Sequence, residues 1–256
     1  MSIDRKSSIR HSEFRNILGI RFFVGAASRA IDMVKSGGLV VVPSAPVLRN
    51  LLVDAQSREA LLDADVAITD SSLMVMIWNL LEWDNIRRLS GLEYLTELLT
   101  RPDVREPGRC FWIMASDTSA NTNLGWLHNQ GIEVLPEDVY IAPQYGERIE
   151  DEAVLALIKA RRPSHVVITV GGGTQERLGL YLKRNLEQLP AIHCIGAAIA
   201  FLSGDQVQIP YWADRFYMGW LFRCLSDPKR YVPRYWSARK LVGLMFAYRA
   251  QLPVTR

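Results

Sequence analysis

The stretch from Val166 to Leu186, VVITVGGGTQERLGLYLKRNL, constrains the fold more than any other part of the chain. The run Val166 to Val170 suits a strand buried on both faces, and the three glycines after it let the backbone turn sharply with its amides uncovered. From Thr174 onward the pattern turns amphipathic at helical spacing. A strand, tight loop and helix in that order can hold an anion such as a diphosphate on the amides of Gly171, Gly172 and Gly173. The common phosphate fingerprints are not met. Glu176 stands where a dinucleotide-binding loop needs its third glycine, and no Lys-Ser or Lys-Thr pair follows as in a P-loop. Read alone, the loop is equally a structural turn; Gln175 and Glu176, polar groups at its mouth, mark it as a candidate site.

The rest of the chain repeats the same unit. Strands are predicted at Ile17 to Phe23, Leu39 to Val42, Val66 to Thr69, Cys110 to Ala115, Ile132 to Leu135, Val139 to Ala142 and Ala191 to Ala200. Helical spacing covers Ala26 to Lys35, Val47 to Leu62, Leu73 to Leu81, Leu92 to Leu99, Asp117 to Gln130 and Asp151 to Arg161, with Gly37, Gly38 and Gly131 as stops. Such alternation predicts an α/β fold: a mainly parallel, Rossmann-like sheet with helices on both faces. Residues 1–16 are expected to be disordered, 17–210 to form the domain, and 211–256 to be a helical appendage. The strand at Val66 opens onto Asp70, Ser71 and Ser72 before a helix. An aspartate there either caps the helix or serves as a catalytic or ligand-binding acid, since open α/β sheets bind ligands at the carboxyl ends of their strands. Arg87 and Arg88 either belong to a solvated helix entry or bring a cation to the Asp70 loop.

The 256 residues, 49% hydrophobic and 22% charged, can bury a sizeable core. Cys110, Cys194 and Cys224 are too few and too far apart for a disulfide framework, and His11, His128, His165 and His193 lack metal-ligand spacing. The histidines are read as surface or packing residues, and no bound metal or cofactor is expected. The polar, basic first residues lack a signal-peptide core, and no stretch of about 20 apolar residues follows, so the chain is expected to be neither secreted nor membrane-spanning. The formal charge of +3 hides an asymmetry: from Tyr211 on, nine Lys/Arg stand against Asp214 and Asp227, and eleven of the 24 aromatics lie there. A basic, aromatic tail on a mildly acidic body fits an anionic membrane interface, and no nucleic-acid-binding motif is present. Deleting the tail is expected to leave a folded body.

In order and spacing, several landmarks together resemble the WecG/TagA/CpsF glycosyltransferases from about Ile17 to about Tyr235. These are Leu18-Gly19-Ile20, Ala64-Asp65-Val66 running to Asp70, Arg88 with Gly91, and Ala142-Pro143 with Tyr145. The glycine loop with Gln175-Glu176, Ile209-Pro210-Tyr211-Trp212, Trp220 to Arg223, Asp227-Pro228-Lys229-Arg230 and Arg234-Tyr235 complete the set. The resemblance implies an inverting, metal-independent transferase moving a sugar, such as N-acetylmannosamine, its uronic acid or glucose, from a UDP-sugar. The acceptor it implies is an undecaprenyl-diphosphate-linked sugar, in bacterial cell-surface or exopolysaccharide synthesis. It implies a peripheral enzyme at the cytoplasmic face of the cell membrane and leaves room for a homo-oligomer. Asp70 falls on the family's proposed general base. Arg88, Arg223 and Arg230 with the glycine-loop amides would stabilise the leaving diphosphate, and Ser44, Ser71, Gln175 and Glu176 would contact donor or sugar hydroxyls.

The chain departs from the family pattern around this pocket. Val42, Pro43 and Ser44 replace a Thr-x-Asn, Ser71 replaces a glycine, and Ala200, Gln208 and Gly219 replace an acid, an arginine and a glutamate. These changes imply altered sugar specificity or a catalytically weakened member, and they motivate the alternative of a non-catalytic nucleotide-sugar-binding component of a polysaccharide assembly system.

Overall fold

The computed structural model describes residues 13–205 and 219–254. The chain opens with β1 (Phe14–Ile17), β2 (Ile20–Phe23), α1 (Ala27–Met33), β3 (Gly38–Val41), α2 (Ala45–Arg49), α3 (Ala55–Leu62) and β4 (Val66–Ile68). Next come α4 (Ser72–Glu82), α5 (Gly91–Leu98), α6 (Pro102–Arg105), β5 (Cys110–Met114), α7 (Asp117–Asn129), β6 (Val139–Ile141) and α8 (Glu152–Arg161). The remainder is β7 (His165–Ile168), α9 (Thr174–Asn185), β8 (Ala191–Cys194), α10 (Ala198–Ser203), α11 (Gly219–Ser226), α12 (Pro228–Ala238) and α13 (Lys240–Tyr248).

The eight strands form one sheet in the order β1-β2-β4-β3-β8-β7-β5-β6, parallel from β2 to β6, with β1 antiparallel at the edge. Successive strand residues alternate between two cores. Leu39, Val41, Val166 and Ile168 pack under α2, α3, α4, α8, α9 and α13, whereas Val40, Val42 and Val167 pack under α1, α5, α6, α7 and α10. Both faces are therefore dry, which is why these strands read as unbroken apolar runs. Among the described residues, no helix is long and apolar enough to cross a membrane.

Five expectations change. Ile17 to Phe23 is two strands, because Leu18 and Gly19 take φ of 52° and 75° and close a two-residue hairpin turn of the left-handed type. The hairpin starts at Phe14, inside the segment expected to be disordered. Val47 to Leu62 is two helices, since Asp54 accepts a hydrogen bond from Ser57 N (2.9 Å) and starts α3 afresh. The stretch 132–135 joins no ladder, and the edge strand is β6. The last strand stops at Cys194, where Gly196 (φ 57°) turns the chain into α10.

The tail does not separate from the body where the charge pattern divides it. Leu241 and Met245 of α13 are fully buried and Leu244 nearly so, all within the main core, and α13 packs on α2 and α4. Leu18 N and Gly19 N donate to the carbonyls of Arg249 (2.7 Å) and Ala250 (3.1 Å), and a side chain on Gly19 would collide with Leu252. Each of those buried side chains contributes about 1.5–3 kcal/mol, so their joint loss approaches the whole stability of a domain. A truncation at Tyr211 removes part of the core rather than an appendage.

Candidate active site

Four neighbouring strands, β4, β3, β8 and β7, end level with one another: Val41 is paired with both Ala67 and Cys194, and Cys194 with Ile168. Their exits, 69–71, 42–44, 195–197 and 169–173, therefore line one edge. The chain leaves β3 toward β4 but enters β8 from β7, so this edge holds the reversal of strand order where open α/β sheets place ligands.

At the β4 exit the cap role falls to Ser71, whose buried hydroxyl accepts from Met74 N (3.3 Å). Asp70 is left to other partners. Its Oδ1 accepts from Gly91 N (3.0 Å), the first amide of α5, and from Arg88 Nη2 (3.3 Å), while Arg88 Nε donates to the Asp70 carbonyl (2.6 Å). The Thr69 hydroxyl donates to the Arg87 carbonyl and accepts from Leu89 N, both at 3.0 Å. Together these bonds stitch 87–91 to the strand end and deliver the cation to the Asp70 loop. Both side chains of the pair remain partly accessible, and the described residues provide no partner for Asp70 Oδ2.

The β7 exit is built differently. A β-carbon on Gly171 would meet nothing within 4 Å, so the loop opens outward there, whereas one on Gly172 would lie 3.2 Å from Val47 Cγ2 and 3.7 Å from Ser44 Oγ. Gly173, at φ 91°, needs to be glycine for conformational reasons. Glu176 is fully buried, and its oxygens accept from Gly173 N (2.6 Å) and Gln175 Nε2 (3.0 Å). Burial pushes its carboxyl above the usual carboxylate range, against the pull of these hydrogen bonds. The expectation that all three glycine amides face a ligand is thus corrected: the third is occupied by the chain's own acid. Glu176 also reaches no open surface from which to hold a sugar.

Two polar atoms beside this loop are buried with no hydrogen-bond partner among the described residues, Ser44 Oγ and Gln175 Oε1. Gln175 is clasped by Glu176 on one side and by Gly196 on the other, where a β-carbon would lie 3.3 Å from Oε1. Orphaned polar atoms at a strand-end cleft are positions where a ligand hydroxyl or water completes the bonding. Arg223 sits on α11 and Arg230 on α12; their side chains, like Gln208, lie outside the described residues. The helix carrying Arg230 packs on α2, whose N-cap is Ser44.

Some groups that hold the site escape a sequence reading. Arg177 donates to the carbonyls of Gly173 (3.2 Å), Gly146 (3.1 Å) and Glu147 (2.6 Å), strapping the glycine loop to a neighbouring turn. Ser57 Oγ ties α3 to Asp54 Oδ2 (2.6 Å) and the Gly173 carbonyl (3.3 Å). Tyr145, a landmark of the family pattern, donates with Tyr140 to Asp151, the cap of α8 (2.6 and 2.9 Å); burial and that carboxylate push Tyr140 up to about 12. His165 and His193 are packing residues of a specific kind. They bond to each other (Nδ1 to Nε2, 3.0 Å), His193 Nδ1 to Tyr94 Oη (2.8 Å) and His165 Nε2 to Asp103 Oδ2 (3.2 Å). Burial holds both imidazoles below their ordinary value, His193 well below. Among the described residues, no three His, Cys, Asp or Glu side chains gather as a metal-binding group.

The chain is 23% identical over 211 residues to an N-acetylglucosaminyldiphosphoundecaprenol N-acetyl-beta-D-mannosaminyltransferase of Bacillus spizizenii (strain ATCC 23059 / NRRL B-14472 / W23), covering 79% of this chain and 78% of the relative. The model of the glycosyl transferase WecG/TagA/CpsF family matches residues 15–254. Nearly the whole chain is spanned by that match, and the protein belongs to the WecG/TagA/CpsF family of glycosyltransferases.

Proposed function

We propose that this glycosyltransferase is an inverting enzyme that moves a hexose or N-acetylhexosamine from a UDP-sugar to an undecaprenyl-diphosphate-linked sugar in cell-surface polysaccharide synthesis. The named activity of the Bacillus relative supports the lipid-linked acceptor. The observation that carries the reading is the pairing of a partly accessible carboxylate, Asp70, with a glycine loop whose first turn opens outward, along one strand-end edge. Three strand spacings of about 4.8 Å separate β4 from β7, so the two stations are about 14 Å apart, a span suited to a nucleotide diphosphate carrying a sugar.

In this scheme UDP lies along the glycine loop, with Gly171 and Gly172 amides toward the diphosphate and Gln175 Oε1 and Ser44 Oγ toward hydroxyls. Asp70 Oδ2 takes the proton of the acceptor hydroxyl as its oxygen attacks the anomeric carbon. The bond from that carbon to the diphosphate breaks on the opposite face, its electron pair leaves with UDP, and the configuration inverts. Arg88, with Arg223 and Arg230 from the basic helices, offsets the charge that grows on the leaving group. The enzyme works as a peripheral protein at the cytoplasmic face of the cell membrane, where a lipid-linked acceptor is presented. Ser44, placed beside the loop, sets which sugar is accepted.

A panel of UDP-sugars incubated with a lipid-diphosphate-linked N-acetylglucosamine, in chelator and in magnesium, tests the proposal by UDP release and mass spectrometry of the lipid product. Transfer in both buffers is expected. A strict magnesium requirement contradicts the metal-independent scheme, and UDP binding without turnover across the panel marks a non-catalytic nucleotide-sugar-binding component instead.

A further inference from the structure

Seven of the twelve exposed large apolar side chains among the described residues fall on α4 and the three C-terminal helices; the other five are scattered over separate elements. On α4 they are Met76 (56% exposed), Leu80 (69%) and Trp83 (94%), spaced i, i+4, i+7 and so aligned along one side of the helix. The opposite side, with Met74, Val75, Ile77 and Trp78, is in the core. Phe246 on α13, Val232 and Trp236 on α12, and Leu225 on α11 add exposed apolar side chains on helices that pack in series onto α4.

Trp83 is presented rather than merely left over. It takes φ 51°, a conformation that costs a bulky residue energy and persists only where the surroundings fix it. The surroundings do fix it. Asp84 accepts from Arg15 Nε (2.5 Å), Trp78 Nε1 (3.2 Å) and Asn85 N (2.9 Å), and the Asn79 side chain bonds both the N–H and the C=O of Ile86 at 3.0 Å. A turn locked on both sides of an almost wholly exposed tryptophan is a rigid aromatic anchor.

The charges around this surface choose its occupant. Residues 219–254 carry seven Lys/Arg and one Asp, and Lys229, Arg239, Lys240 and Arg249 are exposed on the helices that add these apolar side chains. Arg239 stacks over Trp236, and Arg249 pairs with Glu82 at the end of α4. A second copy of the chain would bring like charge against like across a two-fold interface. An anionic bilayer instead matches the basic fringe and takes Trp, Phe, Leu and Met at its headgroup boundary.

We propose that α4, a helix of the body, forms half of a membrane-docking surface shared with α11 to α13, with Trp83 and Leu80 entering an anionic bilayer. This deepens the proposed function and rests on its lipid-linked acceptor. Because the stripe runs along the side of α4, the helix lies flat on the membrane. Ser71 caps its N-terminus, so Asp70 is held at the surface, about 16 Å from Trp83 along eleven residues of helix. The cleft then opens where a polyprenyl diphosphate leaves the bilayer.

The test uses the full chain and the variants Leu80→Glu and Trp83→Asn, the latter because asparagine tolerates the left-handed conformation. Leu157→Glu, an exposed site on α8, is the control. Co-sedimentation is measured with phosphatidylglycerol-rich and with pure phosphatidylcholine vesicles, beside thermal melting, sedimentation velocity and transfer to a short-chain, water-soluble acceptor and to a vesicle-embedded one. The expected result is affinity for the anionic vesicles about 10- to 100-fold lower in each α4 variant. Melting and transfer to the soluble acceptor stay unchanged, while transfer to the embedded acceptor falls. Vesicle binding equal to wild type overturns the proposal, as does a wild-type dimer that the α4 variants dissociate, which would assign the face to a second copy. If wild type transfers sugar to neither acceptor while the vesicle difference persists, the functional reading fails and the docking surface stands.

Discussion

Asp70 and Glu176 follow β4 and β7 on the same edge of the sheet and differ in what their carboxylates have left to offer. Asp70 spends one oxygen on Gly91 N and Arg88 and has no partner for the other among the described residues, with its side chain partly open to solvent. Glu176 spends both oxygens internally, on Gly173 and Gln175, and is sealed from solvent. In the proposed mechanism the same functional group is a chemical participant at the end of β4, whereas at the end of β7 it is scaffold. The difference lies in burial and satisfied bonding rather than in residue type. A buried acid with two internal donors shapes a loop; an exposed one with an unspent oxygen can accept a proton.

The sharpest break of this comparison is Asp70→Asn. Asparagine keeps the size and can still accept from Gly91 N, so the melting temperature should hold while turnover falls by about 10² to 10⁴, measured as UDP release with lipid-linked acceptor. Next in size, Glu176→Ala leaves Gly173 N and Gln175 Nε2 without their acceptor inside the protein. Chemical denaturation should show a loss of about 2–4 kcal/mol. Gly172→Val forces a branched side chain against Val47 and Ser44 and should weaken UDP binding about tenfold by calorimetry, with the sheet intact.

The smallest effect is one of pH. The folded protein holds His165 and His193 below the ordinary value of 6.5, chiefly through burial, so the unfolded chain binds protons that the native state refuses. Their contribution to stability is complete above pH 6.5 and is lost as pH falls below it. Each histidine adds a slope approaching about 1.4 kcal/mol per pH unit, readable in denaturant midpoints between neutral and mildly acidic buffer.

Much of this architecture was legible because it obeys local rules. The apolar runs at β3 and β7, the glycine stops and the strand-to-helix exits predicted a parallel sheet, and the Asp70 and Gly171 loops were placed by those exits alone. Four things were not legible, and all but one depend on contacts distant in sequence. Leu18-Gly19 closes a hairpin against Arg249 and Ala250, far along the chain. The charge pattern from Tyr211 to Arg256 looked like a detachable tail, yet Leu241 and Met245 are core, since a helix can be basic on one side and buried on the other. Glu176 looked like a ligand-binding acid because a sequence does not show which face of a first turn is buried. The Tyr94–His193–His165–Asp103 chain joins four elements and leaves no spacing to read.

One measurement weighs the central claim directly: turnover per folded molecule for Asp70→Asn and Glu176→Ala, assayed side by side with the same UDP-sugar and lipid-linked acceptor, with folded fraction taken from each variant's denaturation curve. The account predicts that Asp70→Asn stays folded and loses at least about 100-fold in turnover. Glu176→Ala should lose stability but keep most of its turnover once corrected for folded fraction. Near-normal turnover in Asp70→Asn, or a Glu176→Ala variant that is fully folded and inactive, would contradict it.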